Sequence, residues 1–228
     1  MRSALSVKTA KIARLAASNQ DTVHAGMGLF SRTTRPTLDA VRFDNSGYRS
    51  LGEPRPGMRA WHTPQGDGVG LYLYTLPPDL PRVTSIAALR SYYERQIASM
   101  DGRLVSVSLP VAAGMPVVQV LSTTPQQPAG LTYVGAITLA FRDFSFVLKI
   151  QAEDRGPTGM REAIVIDQRL AAGDTIEAAR AFDTDASELD DNFPAHQVSR
   201  ARSVLAHVCR TLQLDRSISA APRFPLPA

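Results

Sequence analysis

Two runs of alternating large apolar residues, divided by Arg142-Asp143, limit what this chain can fold into more than any other feature. Tyr133, Ile137, Leu139 and Phe141 recur at period two, and so do Phe144, Phe146, Leu148 and Ile150. With Arg142 and Asp143 at the tip of a hairpin, Phe141 faces Phe144, Leu139 faces Phe146, Ile137 faces Leu148 and Gly135 faces Ile150. Residues opposite one another in a ladder share a face, so every large side chain falls on one side. Burying eight such side chains at roughly 1.5–3 kcal/mol each contributes about 12–24 kcal/mol gross, before chain entropy is subtracted. Arg-Asp does not suit a two-residue primed turn, which needs positive φ, but a four-residue loop keeps the same register. The other face carries Thr132, Val134, Ala136, Thr138, Ala140, Ser145, Val147, Lys149 and Gln151, which are smaller or polar. A sheet covered by helix on one side fits that asymmetry.

The remaining segments supply partners for this hairpin. Residues 58–63 and 69–76 read as a second hairpin across Pro64-Gln65-Gly66-Asp67-Gly68. A helix capped by Thr84 or Ser85 presents Ile86, Leu89, Tyr93, Ile97 and Met100 to the sheet and ends at Gly102. Strands at 103–109 and 115–123 meet around Ala112-Ala113-Gly114. After the long hairpin, a helix begins near Thr158 and runs to about Ala171. A last amphipathic helix aligns Val198, Ala201, Leu205, Val208 and Leu212. Residues 39–56, rich in Gly, Pro, Asn and Arg, read as an irregular entry with a short strand near 41–43. The fold class expected is α+β: a single antiparallel sheet of about six strands with helices packed on it, plus an extra C-terminal helix. One domain spans 36–216, with its core at 58–172, an acidic loop at 173–193 and the C-terminal helix at 194–214. A basic, leader-like arm at 1–35 and a loose tail at 217–228 flank it.

Composition excludes several functions. The net charge of +4 is concentrated in the arm, where residues 1–35 hold six basic groups and one acid, so the body is close to neutral and has no basic footprint for nucleic acid. Lys8 and Lys11 deny the arm the apolar stretch of a secretory signal, and Met27 would serve equally well as a start. One cysteine, Cys209, forbids an intrachain disulfide and fits a reducing, cytoplasmic setting. No apolar run approaches the roughly 18 residues of a membrane span. The nucleophile elbow of esterases, the His-Glu-x-x-His helix of zinc hydrolases, and the Gly-rich turns of dinucleotide and P-loop proteins are all missing. His24, His62, His196 and His207 do not cluster, and the acidic stretch 174–191 lacks the Gly and Glu of a calcium loop. No catalytic residue, metal site or cofactor is expected.

Two places remain where a function could sit. Lys149 is the only lysine after Lys11 and lies mid-strand among Thr138, Ser145 and Gln151 on the smaller face. The ordinary reading is a lysine that snorkels to solvent; the functional one is a contact to another protein on that face or along the C-terminal helix. The second place is the helix start at Thr158, Gly159 and Arg161. Backbone N–H groups there, with the guanidinium, could hold a carboxylate or phosphate, which is the alternative reading: a small enzyme or carrier that binds an anionic small molecule at the 158–162 helix start. Self-association through an exposed helix face is a third reading.

The order of elements over residues 58–171, with Trp61-His62-Thr63-Pro64 before the first turn and residues 133–151 before a helix, resembles the PsbP-like fold. Photosystem II extrinsic proteins, a Ran-binding nuclear import factor and bacterial chaperones that load type VI secretion effectors share it. That resemblance implies a non-enzymatic adaptor that holds another protein. The acidic stretch and the C-terminal helix depart from the compact PsbP-like pattern. The chain is also similar to bacterial proteins that carry Thr132-Tyr133-Val134-Gly135, Phe141-Arg142-Asp143-Phe144, Thr158-Gly159-Met160-Arg161-Glu162 and a late Phe193-Pro194-x-His196, a likeness that implies no activity. Twenty-two arginines against three lysines agree with a GC-rich bacterial source.

Overall fold

The computed structural model describes residues 36–126, 129–156 and 159–227. The arm at 1–35 and Thr158 therefore lie outside the described residues. In chain order the strands are β1 Val41–Arg42, β2 Arg49–Arg55, β3 Met58–His62, β4 Gly68–Tyr74, β5 Arg103–Ser108, β6 Val111–Ala112, β7 Met115–Pro116, β8 Val118–Pro125, β9 Leu131–Ala140, β10 Ser145–Glu153 and β11 Gln213–Leu214. The α-helices are α1 Ile86–Ala98, α2 Met160–Ala171, α3 Ile176–Ala181, α4 Gln197–Thr211 and α5 Arg216–Ser219. Seven strands form one antiparallel sheet in the order β2-β3-β4-β10-β9-β8-β5, while β1 pairs with β11 and β6 with β7. The fold is α+β, as expected, with seven strands in the main sheet rather than about six.

The long hairpin sits at the centre of that sheet in the anticipated register. Leu139 is opposite Phe146, Ile137 opposite Leu148 and Gly135 opposite Ile150. A four-residue loop closes it: the Phe141 N–H donates to Phe144 O at 3.0 Å, and the two rings stack with centroids 4.5 Å apart. The large face is buried except for Phe144 at the loop, which is half-buried, and α4 covers it with Val198, Ala201, Leu205 and Val208. Gly135 permits the close approach: a Cβ there would lie 2.9 Å from Leu205 Cδ1.

The helix that directly follows the hairpin is not the one that seals the core. Within α2 only Arg161 and Val165 are buried, because Asp167 and Gln168 interrupt the stripe that Met160 and Ile164 begin. On the smaller face, α1 lies over β5 and β8, with Leu89 and Ile97 against Leu104, Val118 and Val120. Ser85 caps α1 by accepting from Ala88 N–H at 3.2 Å. At its far end Asp101, with φ of 59°, takes the left-handed position expected of Gly102. The Asp101 and Gly102 N–H groups donate to Ala98 O and Ile97 O, a Schellman closure. Gly102 is needed for a different reason, since a Cβ would stand 2.6 Å from Thr123 O.

Three segments differ from the sequence expectation. Residues 49–55 form an edge strand, β2, whose seven residues are all exposed and whose pairing with β3 is broken by register shifts. With neither face buried, nothing selects alternation there. The C-terminal residues are anchored rather than loose. Ile218 is buried, Phe224 N–H donates to Ala140 O at 3.1 Å, and Arg142 N–H donates to Pro222 O at 2.8 Å. The acidic stretch is folded as α3 and a 3₁₀ turn at Ser187–Leu189, and it is held down by ion pairs rather than solvated throughout.

Candidate functional site

Because α1 covers only the β5–β8 side of the smaller face, a cleft of about 380 Å³ stays open over β8, β9, β10 and β4. Register builds its floor: Val120 lies beside Ala136, Ser122 beside Val134, Thr138 beside Val147 and Lys149 beside Ala136. These side chains alternate with the buried core residues of the same strands, and most are too small to meet the helix above. One wall is α1, with Tyr92, Tyr93, Gln96, Ile97 and Met100. The other is the connector after β4, where Leu76, Pro77, Pro78 and Leu80 face inward and two prolines fix the chain. Tyr92 Oη donates to Asp79 O at 3.4 Å and ties connector to helix.

Lys149 is the only basic side chain lining this cleft. Its Nζ stands 5.4 Å from the centroid of the Tyr72 ring, and burial pushes its pKa down to about 8, with repulsion from Arg55 adding to the effect. Burial likewise raises the Tyr72, Tyr74 and Tyr93 phenols, which stay neutral through the physiological range. Among the described residues, no carboxylate forms an ion pair with Lys149 or with Arg55. A desolvated cation without a counter-ion is costly to keep and ready to accept an acidic ligand.

The other proposed residues are placed elsewhere. Gly159 occupies the N-cap of α2 with φ of 80° and offers no side-chain cap. Arg161 turns away from that helix start into the protein, where it is 1% exposed. Its Nε donates to Thr184 O at 2.7 Å, Nη2 to Ala186 O at 3.0 Å and Nη1 to Ser199 Oγ at 2.9 Å, while Asp190 Oδ1 lies 3.4 Å from Nη1. The guanidinium is saturated by its own chain, which corrects its reading as an anion ligand. It anchors the acidic stretch instead.

Asp190 also receives Arg202 at 2.9 Å, and buried Asp185 accepts from Tyr133 Oη at 2.6 Å while pairing with Arg103. Arg161 Cζ lies 5.4 Å from the Phe193 ring, and His196 sits edge-on to Tyr133 at 5.9 Å. Three of the sequence segments noted above thus converge in one structural lock, with His196 Nδ1 capping α4 through Val198 N–H. A second hollow, about 530 Å³ beside Gln65 and Arg155, has its buried acid already neutralised: Asp67 takes Arg200 Nε at 2.9 Å and Nη2 at 3.0 Å.

Lys149 lies on the smaller face, as its strand position implies, while the nearness of Tyr72, Arg55 and the connector was not read from the sequence. Residues 77–81, with three prolines directly after a strand, were the available signal for a rigid wall.

No family profile and no curated protein matches the sequence. Solved structures similar to this chain include the Ran-binding protein Mog1p of Saccharomyces cerevisiae, at 9% identity and a TM-score of 0.44, covering 77% of this chain and 90% of that one. Another is cyanobacterial PsbP (CyanoP) from Synechocystis, at 10% identity and a TM-score of 0.35, covering 69% of this chain and 96% of that one.

Proposed function

We propose that this protein is a non-enzymatic binding module that holds a segment of another protein in the cleft between α1 and the smaller face of the sheet. The observation that carries this reading is Lys149, desolvated and without a carboxylate partner among the described residues, on the floor of a cleft lined by apolar side chains and small hydroxyls, with Asp79 on the connector as its one acid. The walls suit a protein partner. Tyr and Met are enriched in the cores of protein interfaces, and Tyr74, Tyr92, Tyr93 and Met100 line this one. The apolar surface continues outward to Leu76, which is 45% exposed, so the occupant extends past the cleft mouth.

The test compares affinity capture from the native host by the full chain with capture by Ala136→Leu, which fills the floor, by Lys149→Glu, and by Met160→Glu on the exposed face of α2. A partner lost with both cleft variants and kept by Met160→Glu supports the cleft. Partner recovery unchanged by the cleft variants removes it. Loss with Met160→Glu alone moves the interface to α2.

A further inference from the structure

Two cations share one tyrosine ring beside the cleft: Lys149, which lines it, and Arg55, which is exposed on the edge strand β2. Arg55 Cζ and Lys149 Nζ each lie 5.4 Å from the Tyr72 centroid, and each lacks a carboxylate partner among the described residues. Gly70 makes this arrangement possible. It is the register partner of Lys149 on β4, and a Cβ there would meet Tyr72 Cε2 at 2.8 Å, so the ring can fold back over bare backbone. A ring face attracts each cation by about 0.5–2 kcal/mol, but it carries no net charge and leaves their mutual repulsion in place. An anion bound between them would offset that repulsion and accept hydrogen bonds from both. Away from the cations the cleft offers Leu76, Val134 and Val147 to apolar groups, interspersed with the hydroxyls of Ser122, Thr138 and Ser145.

Resting on the cleft as the docking surface, we infer that the partner's segment is acidic and apolar together: one carboxylate reaches Lys149 and Arg55, and apolar side chains on either side fill the floor. Electrostatic complementarity selects the acid, and the continuous apolar wall out to Leu76 selects a polypeptide over a short free ligand.

The experiment selects binders for the full chain from a displayed library of random peptides of about eight residues, then measures each against Lys149→Gln, Arg55→Gln and Ala136→Leu. Enriched peptides are expected to carry Asp or Glu flanked by apolar residues. They should bind Lys149→Gln at least about tenfold more weakly, lose binding to Ala136→Leu, and lose their preference for Lys149 when the acid is changed to its amide. Peptides excluded by Ala136→Leu but indifferent to Lys149 and to the acid would overturn the inference while leaving the cleft as the docking surface. Enriched peptides unaffected by Ala136→Leu, or no enrichment at all, would overturn both. A fatty acid released in stoichiometric amount from the protein purified from its native host would assign the cations to a lipid carboxylate and overturn the polypeptide assignment.

Discussion

On the large face of the central hairpin, Tyr133, Ile137, Leu139, Phe146, Leu148 and Ile150 meet α4 with no space between them, and Gly135 is left bare so that Leu205 can come close. On the small face, Val134, Ala136, Thr138, Ser145, Val147 and Lys149, from the same two strands and one residue out of step, lie under a helix set to one side, and a cleft stays open. Backbone, register and twist are shared, so the difference is one of side-chain volume and of where the helix lands. One face is closed by packing, and the other keeps an open cleft.

Substitutions at neighbouring positions separate the two faces. Leu139→Asp places a carboxylate in the sealed face and should cost more than about 4 kcal/mol, seen as loss of cooperative unfolding in urea. An unchanged midpoint would show that the faces are wrongly assigned. Gly135→Ala, one methyl against Leu205, should cost about 1–3 kcal/mol by the same measurement.

Lys149 gives the small face a pH signature. Its folded pKa of about 8 lies below the unfolded 10.5, so the unfolded chain holds more protons between those values, and stability rises with pH across the window. Above pH 10 the raised tyrosines, which stay protonated in the folded state, act in the opposite sense. Urea midpoints of the wild type relative to Lys149→Met should therefore climb from about pH 8 to pH 10; parallel profiles would remove the desolvated lysine. The smallest effect on stability belongs to Ala136→Leu, which adds more bulk than Gly135→Ala one residue away. It should shift stability by under about 1 kcal/mol because it grows into open space. A cost like that of Gly135→Ala would mean the small face is as tightly filled as the large one.

The register of the hairpin was legible because alternation and loop length are local properties, and both survive in Leu139 opposite Phe146. Lys149 was legible as an exception, the one cation among small residues. Its surroundings were not, because Tyr72 and Arg55 come from strands with no pattern tying them to β10. The acidic stretch looked solvated for a related reason: Asp185 finds Tyr133 and Arg103 at separations of 52 and 82 residues, and Arg161 finds Asp190 at 29. Charge is legible in sequence, but whether its counter-ion lies across the fold is not. The stripe of the last helix was legible, and it is the stripe that packs on the core: Val198, Ala201, Leu205 and Val208 are buried along α4.

Those separations also set an order of events. Residues 174–193 bury only Ala179 and Asp185 and are attached through hydrogen bonds and ion pairs whose partners stand on β5, β9, α2 and α4. Each of those attachments needs its own partner element in place, so the acidic stretch should close late in folding and open early under denaturant. Arg161 and Asp190 thus work as a late clasp, and the sheet with its cleft is already assembled when they engage.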